Sequence, residues 1–211
     1  LADTVPDAPV AVLSGPTFAR EVALGLPTAV TLACADPDLA DVLARALGQP
    51  MFRPYLSDDL AGAQVGGAVK NVLAIACGII EGRELGENAR AALTTRGLAE
   101  ITRLGVRRGA RAETFMGLAG IGDLILTCSS LQSRNMSLGA ALGRGEALSD
   151  ILSARKSVAE GVFTAGAVVE HARQLEIEMP ICEAVEGILN QGLSIDDAMG
   201  SLLSRAFKIE V

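Results

Sequence analysis

Tryptophan is absent, aromatic residues make up 3% of the 211 positions, and there is a single histidine. Small aliphatic side chains must therefore do the packing. A composition that is 50% hydrophobic supplies enough of them for a substantial core, and its richness in alanine favours helix. The four cysteines (Cys34, Cys77, Cys128 and Cys182) are scattered without a CxxC pair. With one histidine, they form no metal-ligand pattern. We expect no metal site, and four buried free thiols in a reducing compartment. No segment holds the roughly 18 uncharged apolar residues of a membrane span, and neither a signal peptide nor membrane insertion is expected. Cations are in deficit, 18 Lys and Arg against 25 Asp and Glu, for a net charge of −7. Such a chain is a poor nonspecific partner for nucleic acid or an anionic membrane, and an anionic ligand would need a local cluster of Lys or Arg. The glycine fingerprint GxGxxG occurs nowhere. The opening, LADTVPDAPVAVL, lacks Met and runs straight toward a strand, as the middle of a longer chain would.

What is present begins as alternating elements. PVAVLSG (9–15) reads as a buried strand closed by a Ser-Gly-Pro turn, FAREVALGLP as a short helix, TAVTLACAD (28–36) as a second strand and PDLADVLARALGQP (37–50) as a helix with acids first and an Arg late. MFRPYLS reads as extended and broken by Pro. The α/β rhythm stops there. From Ser57, read as an N-cap, a long helix runs to about Gly82, followed by another over 87–109. A glycine-broken segment over 113–128 follows, then helices near 131–143, 147–153, 162–175, 180–191 and 195–204. The expected fold is mainly α: an all-helical domain, 57–211, preceded by a short α/β piece, 1–56.

Four stretches could carry chemistry. In VGGAVKNVLAIACGII, Lys70 stands in an apolar helix with Ala63, Gly66, Gly67, Ala74 and Cys77 as its helical neighbours. That strip is flat enough for another backbone or a ligand to approach. Snorkelling to water is the plain alternative. Two mid-helix glycines, at roughly 1 kcal/mol each, speak against it. A desolvated lysine exchanges protons nearer neutrality. In GLAGIGDLILTC, Asp123 is either the cap of a following helix or a semi-buried carboxylate, with Thr127 one turn on along its face. Ser133-Arg134-Asn135 sits at an expected helix start, where Arg and amide donors suit phosphate, or where a surface helix is simply capped. SGPTFARE closes a strand where open α/β sheets bind ligands, or is an ordinary strand-helix turn. His171 and the basic run RLGVRRGAR (103–111) read as solvated helix surface.

In order along the chain stand LSGPTFAREVALGLPTAV, GGAVKNVLAIACGIIEG, GENARAALTTRGLAE, ETFMGLAGIGDLILTC, SRN, VAEG and MPICEAV. Together they closely resemble the bacterial NAD(P)-dependent glycerol-3-phosphate dehydrogenase family, over nearly all 211 residues. The resemblance implies an oxidoreductase that interconverts dihydroxyacetone phosphate and sn-glycerol 3-phosphate, with NADPH or NADH, for phospholipid synthesis in the cytoplasm. It implies that 1–56 is the closing remnant of a Rossmann dinucleotide-binding domain and 57–211 the helical substrate domain. Lys70 matches the catalytic lysine, with Asp123 holding and tuning it. Asn71 and Thr127 match polar groups around the reacting carbonyl. Arg134 and Asn135, with Ser133 beside them, match contacts to phosphate-bearing ligands. Gly15 and Thr17 match substrate contacts, Ala19 a cofactor contact, and Val158 and Glu160 contacts to the nicotinamide nucleotide. Thr17 departs from the family's usual Ser but keeps the hydroxyl.

The fingerprint of that family is expected upstream of residue 1. The chain alone is therefore expected to be inactive, and its strands 9–15 and 28–34 to have lost their sheet partners. The partner expected is a small phosphorylated substrate, and a homodimer is left open. Two other readings stay open: a non-catalytic helical module for dimerisation or metabolite binding, and the helical domain of a 6-phosphogluconate or hydroxyisobutyrate type of dehydrogenase.

Overall fold

The structure, a computed structural model, describes residues 8–155 and 159–206. Two compact units emerge that are not contiguous in sequence: Leu1–Gly67 with Ile101–Leu126, and Ala68–Glu100 with Thr127–Val211. This partition is drawn differently from the sequence division at 56/57, because three helices named below run across it.

The first unit holds a three-stranded sheet in the order β1 (Ala11–Ser14), β2 (Thr28–Cys34), β3 (Phe52–Ser57). The strands are not without partners, as the sequence led us to expect. β1 pairs antiparallel with β2, Ala11 opposite Cys34 and Ser14 opposite Thr31. β2 pairs parallel with β3, Thr28 opposite Phe52 and Ala33 opposite Ser57. Two further expectations change with this. MFRPYLS is a strand, and its Pro54 is tolerated because β3 lies at the sheet edge. β1 is not a buried strand: exposed and half-buried residues alternate along it, and Leu13 is 48% exposed. The central strand is the buried one, through Val30, Leu32, Ala33 and Cys34.

Helix α1 (Ala19–Ala23) is short, and α2 (Pro37–Leu47) starts with Pro at its first position. The Asp36 carboxylate caps α2, accepting from Asp38 N at 2.9 Å and Leu39 N at 3.1 Å. Helix α3 (Leu60–Gly82) is capped by Asp59 and not by Ser57. Asp59 Oδ1 accepts from Gly62 N at 2.8 Å, while Ser57 Oγ accepts from Asp59 N at 3.1 Å. The two side chains act in series, and the acid nearer the helix takes the cap. By length and composition α3 could cross a membrane, but it is mostly buried inside the protein, as a core helix is.

After α4 (Glu87–Arg107) the glycine-broken segment resolves into a 3-10 turn (Ala112–Met116), a π turn (Leu118–Gly122) and α5 (Asp123–Ser129). Helices α3, α4 and α5 each run from one compact unit into the other. Ala33, Ala63 and Ala119 form a small core in the first unit, with Val12 and Leu60 against it. Small residues suit it because backbones come close. A Cβ on Gly66 would lie 2.2 Å from the Ala119 carbonyl oxygen. The strip beside Lys70 is thus partly filled by backbone, which explains one of the two glycines without a ligand.

In the second unit come α6 (Arg134–Gly143), α7 (Leu148–Ser153), α8 (Glu160–Gln174), α9 (Pro180–Asn190) and α10 (Ile195–Leu203). Leu73, Ile75, Met136, Leu138 and Val169 are buried here. Each contributes about 1.5–3 kcal/mol by leaving water. α3 and α6 cross with backbones nearly touching: a Cβ on Gly78 would lie 2.1 Å from Met136 O, and one on Gly139 2.0 Å from Ile75 O.

Candidate functional site

Within the first unit, β1 ends in the Ser14-Gly15-Pro16-Thr17 turn. Gly15 is buried with φ of +154°, and a Cβ there would lie 2.9 Å from Val30 Cα, so the turn needs glycine. Thr17 Oγ1 is buried and has no hydrogen-bond partner among the described residues. A buried hydroxyl without a partner is costly unless a ligand satisfies it. Ala19, the first residue of α1, is exposed. The Gly-Ile-Gly turn is a neighbour of this one: a Cβ on Gly122 would meet Pro16 Cδ and Cγ at 3.7 Å. Asp123 follows, 1% exposed, with helical φ −70° and ψ −34°. An N-cap has extended backbone, so Asp123 does not cap α5.

Within the second unit, Lys70 and Asn71 are half-buried on α3, and Thr127 is buried on α5, one turn beyond Asp123. Ser133, Arg134 and Asn135 do three different things. Ser133 is the N-cap of α6, its Oγ accepting from Met136 N at 3.2 Å. Asn135 is 3% exposed. Its Nδ2 donates to Asn71 Oδ1 at 3.0 Å, and its Oδ1 accepts from Gly161 N at 2.9 Å. Asn135 thereby ties α3 to the start of α8. Arg134 points to solvent, with 49% of its side chain exposed, and pairs with Glu160 at 2.8 Å. Two consecutive residues of α6 thus meet two consecutive residues of α8. Gly161 permits this approach, since a Cβ there would sit 2.7 Å from Asn71 O.

The residues expected to share a site fall into both units: Gly15, Thr17, Ala19 and Asp123 in the first, and Lys70, Asn71, Thr127, Ser133, Arg134, Asn135 and Glu160 in the second. Val158 lies outside the described residues. The sequence reading missed Arg155. Its Nη1 donates to the Arg134 carbonyl at 2.7 Å and its Nη2 to Ser137 Oγ at 3.0 Å. No spacing rule marks such a residue, because its partners lie about twenty positions upstream. It also missed Asp59 as the cap of α3, because Ser57 and Asp58 beside it are capping types as well. Cys34, Cys77, Cys128 and Cys182 are in no disulfide and are buried. Among the described residues no three His, Cys, Asp or Glu side chains gather as metal ligands would.

The family model described as NAD-dependent glycerol-3-phosphate dehydrogenase C-terminus matches residues 59–200, and the corresponding N-terminus model matches residues 1–40. The chain is 62% identical over 210 residues to a glycerol-3-phosphate dehydrogenase (NAD(P)+) of Parvibaculum lavamentivorans, a match covering 100% of this chain and 63% of that protein. It is 64% identical over 206 residues to the protein of the same name from Rhodospirillum rubrum, covering 98% and 59%. The crystal structure of glycerol-3-phosphate dehydrogenase from Coxiella burnetii superposes with a TM-score of 0.93 at 45% identity, over 97% of this chain and 63% of that one. The chain therefore spans about three fifths of the length of these relatives.

Proposed function

The chain belongs to the NAD-dependent glycerol-3-phosphate dehydrogenase family, and we propose that the protein carrying it interconverts dihydroxyacetone phosphate and sn-glycerol 3-phosphate with NADPH or NADH. We place this activity in the cytoplasm, in the service of glycerophospholipid synthesis. Residues 1–56 are read as the end of a dinucleotide-binding domain and 57–211 as the substrate domain. The observation that carries the reading is the meeting of Arg134-Asn135 with Glu160-Gly161. It gathers an always-charged fork suited to phosphate and a carboxylate able to accept from sugar hydroxyls.

These residues fit a nicotinamide nucleotide. Arg134 is exposed enough to take a phosphate and Glu160 stands beside it, while the cofactor contact at Ala19 is carried over from the family resemblance. The nucleotide, when bound, supplies the hydride. The chain supplies the rest. Lys70 gives its proton to the ketone oxygen as negative charge develops there, and takes it back in the reverse direction. Asp123 is the second residue assigned to catalysis, through a carboxylate shielded from water. Asn71 and Thr127 orient the carbonyl, and the unpartnered Thr17 hydroxyl, with Gly15 beside it, binds the substrate. Ser133 and Asn135 hold Arg134 in register, the first by capping α6 and the second by anchoring α8.

The test is turnover by the full-length protein. NADPH or NADH should be oxidised with dihydroxyacetone phosphate, and neither 6-phosphogluconate nor hydroxyisobutyrate should reduce NADP+ or NAD+. Turnover of one of those acids with none of the ketone phosphate would replace this reading with a related dehydrogenase. No turnover of any of them would favour a non-catalytic module.

A further inference from the structure

Arg155 follows α7 and sits half-buried against the first turn of α6. Two of its guanidinium nitrogens are engaged there. Nη1 donates to the Arg134 carbonyl at 2.7 Å, and Nη2 donates to Ser137 Oγ at 3.0 Å. The Ser137 hydroxyl in turn donates to the same Arg134 carbonyl at 3.2 Å. A planar fork gripping both a main-chain carbonyl and the hydroxyl bonded to it fixes position and direction, as a single flexible ammonium does not. Burial lowers the pKa of Arg155 and the charge of Glu146 opposes that fall, so desolvation is the larger effect on this group. An arginine held partly out of water needs its hydrogen bonds, which makes the clamp costly to loosen.

Arg134 is thereby held at both ends. Arg155 holds its main chain, and Glu160 holds its guanidinium at 2.8 Å. Asn135, the next residue, is pinned to Gly161 N at 2.9 Å. The Arg134 side chain, 49% exposed, can leave Glu160 for a stronger anion while its main chain stays held. A fork whose base is fixed loses less on binding phosphate than one whose helix turn must first be ordered.

We propose that Arg155 is a positioning residue, fixing the first turn of α6 so that Arg134 meets the phosphate of its ligand in a preset orientation. The inference rests on the phosphate-binding role given to Arg134 above. Its test uses the full-length protein and steady-state kinetics with dihydroxyacetone phosphate and NADPH varied separately, so that the two phosphate-bearing ligands are told apart. Arg155→Ala should raise the KM of at least one of them about tenfold, with kcat within about twofold. The same substitution in an Arg134→Ala background should change neither KM further, because the fork it positions is gone. A purely structural residue would instead add its effect in both backgrounds. Equal KM values for Arg155→Ala and the unmodified protein, or an undiminished effect in the Arg134→Ala background, would overturn the proposal. Arg155→Gln, which keeps a donor, serves if the alanine variant fails to fold; failure of both to fold would assign Arg155 to stability and overturn the proposal as well. Absence of turnover in the unmodified protein would overturn the dehydrogenase reading itself, a different result.

Discussion

Asn135 has one end of its amide on Asn71 and the other on Gly161 N, and it is all but inaccessible to water. Removing it takes away the acceptor of the buried Gly161 N–H and the amide donated to Asn71 Oδ1. Asn135→Ala should therefore cost about 1–3 kcal/mol of folding stability, read from the denaturant midpoint. Asn135→Asp should be no better, since it supplies an acceptor where Asn71 Oδ1 needs a donor. A variant as stable as the unmodified protein would show that the tie does not hold α3 to α8. Ser-Arg-Asn was legible in the sequence as a polar helix start, and the chain does start α6 there. What could not be read was the division of labour among the three. That depends on which partner each side chain finds on α3 and α8, and those partners are far away in sequence.

Helices were the most legible elements, and their caps and crossings the least. The start of α3 shows why. Ser57, Asp58 and Asp59 are all capping types, and only geometry selects Asp59. Burial pushes the Asp59 carboxyl pKa up, but hydrogen bonds from Thr114, Gly62 N and Arg111 N, with the Arg111 charge, outweigh it and leave the pKa below the usual carboxylate value. A depressed folded-state pKa adds stability that is complete above the unfolded value of about 3.9 and is lost as pH falls through the folded value. Asp59→Asn should accordingly lower stability at neutral pH and flatten the acid limb of a stability-against-pH curve. An acid limb of unchanged steepness would contradict this. Helix α9 has no side-chain cap of its own at Met179. Glu100, 1% exposed, takes that place, accepting from Ile181 N at 2.8 Å and Cys182 N at 3.2 Å. Glu100→Gln turns an amide donor toward an N–H, and should lower stability by about 1–3 kcal/mol in chemical denaturation. At the α3-α6 crossing, Gly139→Ala would drive a methyl into the Ile75 carbonyl and should destabilise at least as much. Sequence periodicity showed both helices without showing that they touch, because a glycine carries no hydrophobic signal.

Across the whole molecule, the α/β and helical characters were legible from composition and periodicity, whereas strand pairing was not. Nothing in PVAVLSG or TAVTLACAD states that the two strands lie antiparallel to each other, or that MFRPYLS joins them despite Pro54. The compact units were also hidden, since each gathers two stretches of chain separated by more than thirty or twenty residues. At this scale we expect the 211-residue chain by itself to oxidise no NADPH in the presence of dihydroxyacetone phosphate, since it spans 63% of its Parvibaculum lavamentivorans relative. Measurable turnover by the purified chain would contradict that. Lys70 is the proposed proton donor, and the kcat of Lys70→Ala in the full-length protein tests that role. A kcat lowered about 10²–10⁴-fold, with dihydroxyacetone phosphate still bound, is expected. A kcat equal to that of the unmodified enzyme would contradict it.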